Sequence, residues 1–193
     1  MAARATPKRA TYADIETLPK NWVGEILDGV LHAHPRPGLP HAKVASRLGI
    51  GLGGPFDLGQ GGPGGWIILD EPELHLASDV VVPDLAGWKR ARLPSIPAKA
   101  FLTLAPDWIA EIISPSTEAE DRGEKMTIYA RENVAHAWLI DPSVRTLEIF
   151  RLDGETWRMV KTWHGDVKVR AEPFDAVELD LTVLWEALPA LAE

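Results

Sequence analysis

Apolar and polar positions divide this chain into many short period-two stretches and a few helical ones. Tyr12 to Leu18 predicts a short helix that stops before Pro19. Trp22–Leu27 and Val30–His34 flank Asp28-Gly29, a dipeptide suited to a tight hairpin turn. Residues 40–52 predict a helix with Pro40 at its start. Residues 49–65 hold nine glycines and two prolines, which predicts a mobile loop. No Gly-Lys-Ser/Thr follows that loop and no helix opens from it, so it is neither a phosphate loop nor a dinucleotide fingerprint. Strands are predicted at 66–70, 73–76, 79–85 and 107–113. Thr117-Glu118-Ala119-Glu120 then has a capping-box pattern, and a helix should run from it to about Arg131. Strands at 136–140, 146–152 and 156–163 are separated by Asp141-Pro142 and Asp153-Gly154 turns. A last strand near 176–181 and a short helix from about 182 end the order. The fold class is α/β (α+β), a mixed β-sheet with few helices. With no repeat or linker in view, residues 1–11 form a flexible tail and 12–193 one domain.

The composition is that of an ordinary water-soluble globular chain, at 46% hydrophobic and 25% charged residues over 193 positions. No apolar run approaches the roughly 20 residues that span a bilayer. The N-terminus is basic without an apolar core behind it, unlike a secretory signal. The expected location is therefore cytoplasmic, with no membrane partner. There is no cysteine, which excludes disulfides and thiolate chemistry. A net charge of −8 argues against broad adhesion to nucleic acid but allows a local basic groove. Residues 88–99 carry four positive charges and no negative ones, directly after Asp84. A solvated loop is the plain reading of that run.

The chemistry centres on isolated acids. In the stretch 107–113, Trp108, Ala110 and Ile112 point one way and Ile109, Glu111 and Ile113 the other. Both faces are apolar, so Glu111 should be buried, at a cost of several kcal/mol unless a cation or donors compensate it. Asp84 ends a second apolar run, Val80 to Ala86. Two such acids at strand ends are what a carboxylate metal site in a hydrolase needs. Asp121, Lys125 and Tyr129 are spaced by four on the helix that follows Glu111, and this places Lys125 near Glu111. Plainer roles remain open. Asp84 would serve equally as a turn cap, Glu111 as the partner of Lys125 or an Arg, and Asp121 and Tyr129 as solvent-facing and packing residues.

Five segments in this order resemble the Uma-two family of restriction-endonuclease-like proteins, a branch of the PD-(D/E)XK nuclease superfamily. They are Glu25-Ile26-Leu27-Asp28-Gly29, Val81-Val82-Pro83-Asp84-Leu85-Ala86, Glu111 to Thr117, Asp121…Lys125…Tyr129-Ala130, and Ala137 to Pro142. The resemblance spans about residues 12–185. It implies a restriction-endonuclease-like mixed sheet flanked by helices, and an endonuclease that hydrolyses DNA. By resemblance Asp84, Glu111, Lys125 and Glu25 are the catalytic set. Mg²⁺ or Mn²⁺ would be held by Asp84, Glu111 and the backbone carbonyl of Ile112. The superfamily's usual Lys two residues after the second acid is Ile113 here, a departure that Lys125 on the next helix offsets. A homodimer is expected by analogy, since cutting a duplex takes two sites.

Other readings exist. The same fold could act as a non-catalytic nucleic-acid-binding or assembly module. His32, His34 and His41 lie within ten residues, and the first two share a strand face, so a zinc or iron site is conceivable, although a further ligand is not evident. His41 could instead line the cleft. Ser114 lacks the context of a hydrolase nucleophile. Trp108 and Trp138 should pack in the core, whereas Trp88 could pack or stack on a base.

Overall fold

The computed structural model describes residues 9–188. Residues 1–8 of the expected tail lie outside the described residues. From Arg9 the chain is attached to the first hairpin: the Ala10 N–H donates to the Gly29 carbonyl at 2.8 Å. Helix α1 (Tyr12–Glu16) follows, with the Asp14 carboxylate accepting the Thr11 N–H at 2.7 Å. Strands β1 (Trp22–Leu27) and β2 (Val30–Pro35) form the expected hairpin. Asp28 and Gly29 have φ of 49° and 85°, as a two-residue primed turn requires.

Helix α2 (Leu39–Leu52) buries Val44, Leu48 and Leu52 and continues into a π-helical turn, Gly53–Asp57. The expected mobile loop is thus ordered at its start. Phe56 is buried against Phe174, and the Asp57 carboxylate accepts the Ile68 N–H and pairs with Arg90. One buried ring and one carboxylate anchor this part of the glycine-rich stretch.

Two sheets share the rest. The four-stranded sheet runs β2-β1-β5-β4, with β4 (Leu74–Leu76) and β5 (Asp79–Val81). The six-stranded sheet runs β10-β9-β8-β7-β6-β3. Its strands are β3 (Trp66–Asp70), β6 (Leu85–Lys89), β7 (Trp108–Ile112), β8 (His136–Asp141), β9 (Thr146–Asp153) and β10 (Thr156–His164). Only β7 and β8 pair in parallel there. The crossover between them is α3 (Glu118–Glu120), a π turn (Asp121–Lys125) and α4 (Met126–Arg131). A two-stranded piece, β11 (Lys168–Val169) with β12 (Leu179–Asp180), and α5 (Thr182–Trp185) close the described chain.

The predicted strand 79–85 is in fact two, one in each sheet. Pro83 has no N–H for a ladder, and the chain changes sheets across Val82-Pro83-Asp84. Residues 85–89 form β6, and Trp88 is fully buried, its indole N–H donating to the Leu104 carbonyl at 2.9 Å. Buried in this way, its ring is closed off from stacking on a base. The capping box is not formed either. The Thr117 side chain makes no cap bond, and its hydroxyl lies 2.9 Å from that of Ser114.

Strand β7 is buried on both faces, as its pattern predicts. Trp108, Ala110 and Ile112 pack with α2, α5 and a group of rings around Phe174, which meets Trp66, Trp108 and Trp138. Ile109 and Ile113 pack with α4 and the four-stranded sheet. Glu111 points to this second side, where the two sheets and the crossover helix meet.

Candidate active site

Each site residue is placed by a different element. Glu111 is the fourth residue of β7, Asp84 immediately precedes β6, Glu25 is central in β1, and Lys125 ends the π turn. The structure brings all four together. The Lys125 ammonium lies 2.9 Å from Glu111 Oε1, 3.3 Å from Glu25 Oε1 and 3.3 Å from Asp121 Oδ1, and it donates to the Val82 carbonyl at 3.3 Å. Ile113, where the superfamily's usual Lys would stand, is buried among apolar side chains.

Glu111 divides its carboxylate. Oε1 accepts the Tyr129 hydroxyl at 2.6 Å and faces Lys125, while Oε2 faces the Asp84 N–H at 3.4 Å, outside good hydrogen-bond range. Asp84 Oδ2 accepts the Ile112 N–H at 2.7 Å and lies 3.1 Å from His41 Nε2. Its Oδ1 has no protein donor among the described residues. A strand residue's N–H and C=O point to the same side, so the Ile112 carbonyl is turned toward the β6 side of β7, as its N–H is. The β6–β7 register, with Leu85 opposite Ala110, would set Pro83 against Ile112, and Pro offers no N–H to that carbonyl.

Asp121 and Tyr129 are buried members of the cluster, although as helix positions their plain reading was solvent or packing. Their spacing of four from Lys125 sets both on its side of the crossover helix, and that side is the one packed against β7. His41, on α2, lies on Asp84 and apart from His32 and His34, so the three histidines do not form one site. The basic run is not near the acids. It follows the far end of β6, with Arg90 paired to Asp57 at 2.6 Å and Arg92 to Asp107 at 3.1 Å.

Burial pushes the Glu111 carboxyl well above its ordinary 4.5; Lys125 pulls it down, and Asp121, Asp84 and Glu25 push it up. Burial likewise raises Asp121. For Lys125, burial works against the charge, but Glu111 and Glu25 outweigh it and hold the ammonium well above 10.5. For His41 burial works against the charge, but the Asp84 hydrogen bond and the charges of Asp84, Asp121 and Glu71 together outweigh it and raise the imidazole. Three carboxylates around one ammonium, with Asp84 next to Glu111, leave the cluster short of positive charge. The unspent oxygens of Asp84, Glu111 and Ile112 are hard donors of the kind Mg²⁺ and Mn²⁺ take, so the residues present fit such an ion. A cleft of about 680 Å³ opens over them and is lined by Glu25, His41, Asp84, Glu111, Asp121 and Lys125.

A mixed sheet with a crossover helix that delivers a lysine onto strand-borne carboxylates is a nuclease-like architecture. The crystal structure of "a putative nuclease belonging to DUF820" from Anabaena variabilis is similar, with a TM-score of 0.73 at 20% identity over 91% of this chain and 97% of that one. The model of the Uma2 family, described as "Putative restriction endonuclease", matches residues 10–183, and the chain belongs to that family. No curated protein matches the chain.

Proposed function

We propose that this protein is a divalent-metal-dependent endonuclease that hydrolyses phosphodiester bonds in DNA. One observation carries this reading: Asp84 and Glu111 meet at the cleft, with Glu111 Oε2 toward the Asp84 N–H, Asp84 Oδ2 on the Ile112 N–H, and Lys125 on the far oxygen of Glu111. Asp84, Glu111 and the Ile112 carbonyl would hold Mg²⁺ or Mn²⁺. Such an ion, when bound, supplies a polarised phosphate and a more acidic water. Lys125 has three N–H groups for four nearby acceptors, so it is oriented by the protein before any substrate arrives. Its fixed charge would stabilise negative charge building on the phosphoryl group. Glu25 Oε1 accepts the Val82 N–H at 2.7 Å and faces Lys125, so Glu25 acts as a positioning residue for the lysine. Tyr129 positions Glu111 in the same way. Cutting both strands of a duplex calls for two such clefts, which a homodimer would supply.

A non-catalytic module on this fold finds less support. The arginines of the run 88–99 are neutralised by Asp57 and Asp107, so they offer little for a phosphate backbone. The test is cleavage of plasmid and of single-stranded DNA with Mg²⁺ or Mn²⁺, for the natural chain and Glu111→Ala. Metal-dependent cutting that vanishes in the variant is expected. Equal cutting by both would refute this site, and no cutting together with no divalent ion bound in titration would refute the activity.

A further inference from the structure

Strand β2 sets His32 and His34 on one face. His32 stands opposite Glu25 and His34 opposite Val23, so this is the face that carries Glu25. Glu120, the last residue of α3, reaches the pair: its Oε1 lies 3.5 Å from His32 Nδ1. One donor atom from each of His32, His34 and Glu120 lies within 4.8 Å of the other two, and all three side chains are half-buried. His34 Nε2 is itself buried with no hydrogen-bond partner among the described residues. We propose that His32, His34 and Glu120 form a second metal site beside the carboxylate cluster, selective for a transition metal and best suited to Zn²⁺.

The geometry and the donors both point this way. A hydrogen-bonded imidazole and carboxylate would approach to about 2.7–3.2 Å. Two ligand atoms each about 2.0–2.1 Å from a tetrahedral ion stand roughly 3.3–3.4 Å apart, close to the separation seen. Two imidazoles and one carboxylate form a set that zinc uses with its fourth position open. Mg²⁺ prefers oxygen throughout and is a poor match for the two nitrogens. Glu120 supplies the ligand that was missing when the histidines were considered alone. An ion here would join the edge strand of the four-stranded sheet to the start of the crossover helix, one residue before Asp121 and five before Lys125. It would thereby fix the helix that carries the lysine.

This site does not depend on the nuclease reading, and its test uses no cleavage assay. The untagged full chain is titrated with Zn²⁺, and separately with Co²⁺ followed by visible absorption, in excess Mg²⁺. One equivalent of each is expected, with Co²⁺ bands of nitrogen-bearing, low-coordination ligation. Asp84→Asn should keep this binding. His32→Ala and His34→Ala should lose about 100-fold or more in affinity, beyond the 10–100-fold typical of an outer partner. Glu120→Gln, a milder change on the helix, should weaken it in the same direction. Absence of binding by the natural chain, or binding lost in Asp84→Asn and kept in His34→Ala, would overturn the proposal.

Discussion

Glu111 and Lys125 are unequal partners, because each faces a different number of like charges. Lys125 is the ammonium shared by three acids, Glu25, Glu111 and Asp121, so Lys125→Met should destabilise the metal-free protein by about 3–5 kcal/mol, the usual cost of stranding buried charge. Glu111→Gln keeps the shape and removes one of the crowded carboxylates. It should change the unfolding free energy in urea by less than about 1 kcal/mol while abolishing metal-dependent cleavage. Equal destabilisation by both variants would show that the cluster is not short of positive charge. Tyr129→Phe removes the 2.6 Å bond to Glu111 and should cost about 1.5–3 kcal/mol in the same urea assay. Its cleavage rate should fall without being abolished. Asp84 and Glu111 were legible in the sequence because each ends or interrupts an apolar run, and Lys125 because its spacing on the helix that follows Glu111 turns it toward that acid. Asp121 and Tyr129 were not, since a polar helix residue becomes part of a site only through what packs against it. Glu120 was hidden for the same reason: nothing in the chain's order says that α3 ends against β2.

At the scale of elements, β7 was the most legible because burial on both faces writes an unbroken apolar run around one acid. The boundary at Val82-Pro83-Asp84 was less so. Apolar residues on both sides of Pro83 read as one strand, and only the partners in two different sheets reveal the crossing. The π turn was likewise invisible, because its winding follows from tertiary contacts rather than from its residue types. Within it, Gly123 is exposed, has no positive φ, and would present an added Cβ to open space. Gly123→Ala should therefore stabilise the chain by about 0.5–1 kcal/mol in chemical denaturation, with cleavage unchanged. A loss of stability there would mean that the π turn needs glycine's freedom. Gly87 contrasts with it, since a Cβ would lie 3.1 Å from the Trp108 ring and 3.3 Å from that of Trp66. Gly87→Ala should lower the thermal midpoint, because two packed indoles leave no room to yield.

For the molecule as a whole, the net charge of −8 and the acid-rich cleft make protons and divalent ions rivals for the same oxygens. Glu111, Asp121 and His41 each bind a proton more tightly in the folded chain than at their ordinary 4.5, 3.8 and 6.5. The groups facing them are Glu25, Asp84, Lys125 and Tyr129, of which Lys125 and Tyr129 titrate only above the neutral range. Above each ordinary value the folded chain holds protons that the unfolded chain has released, so stability falls as pH rises toward the folded values. Each such proton contributes about 1.4 kcal/mol per pH unit within its window. His136 acts in the opposite sense, since burial lowers it and acid below 6.5 favours the unfolded chain, but in this range it stands against Glu111 and His41 together. The metal-free protein should thus melt at a higher temperature near pH 5 than near pH 8. Mg²⁺ should raise the midpoint more at the higher pH, where the carboxylates are free to bind it. Scanning calorimetry at both pH values, with and without Mg²⁺, checks both statements. A metal-free midpoint that climbs from pH 5 to pH 8 would mean that the acids are already balanced by the protein's own cations, leaving no unmet charge for a metal to fill.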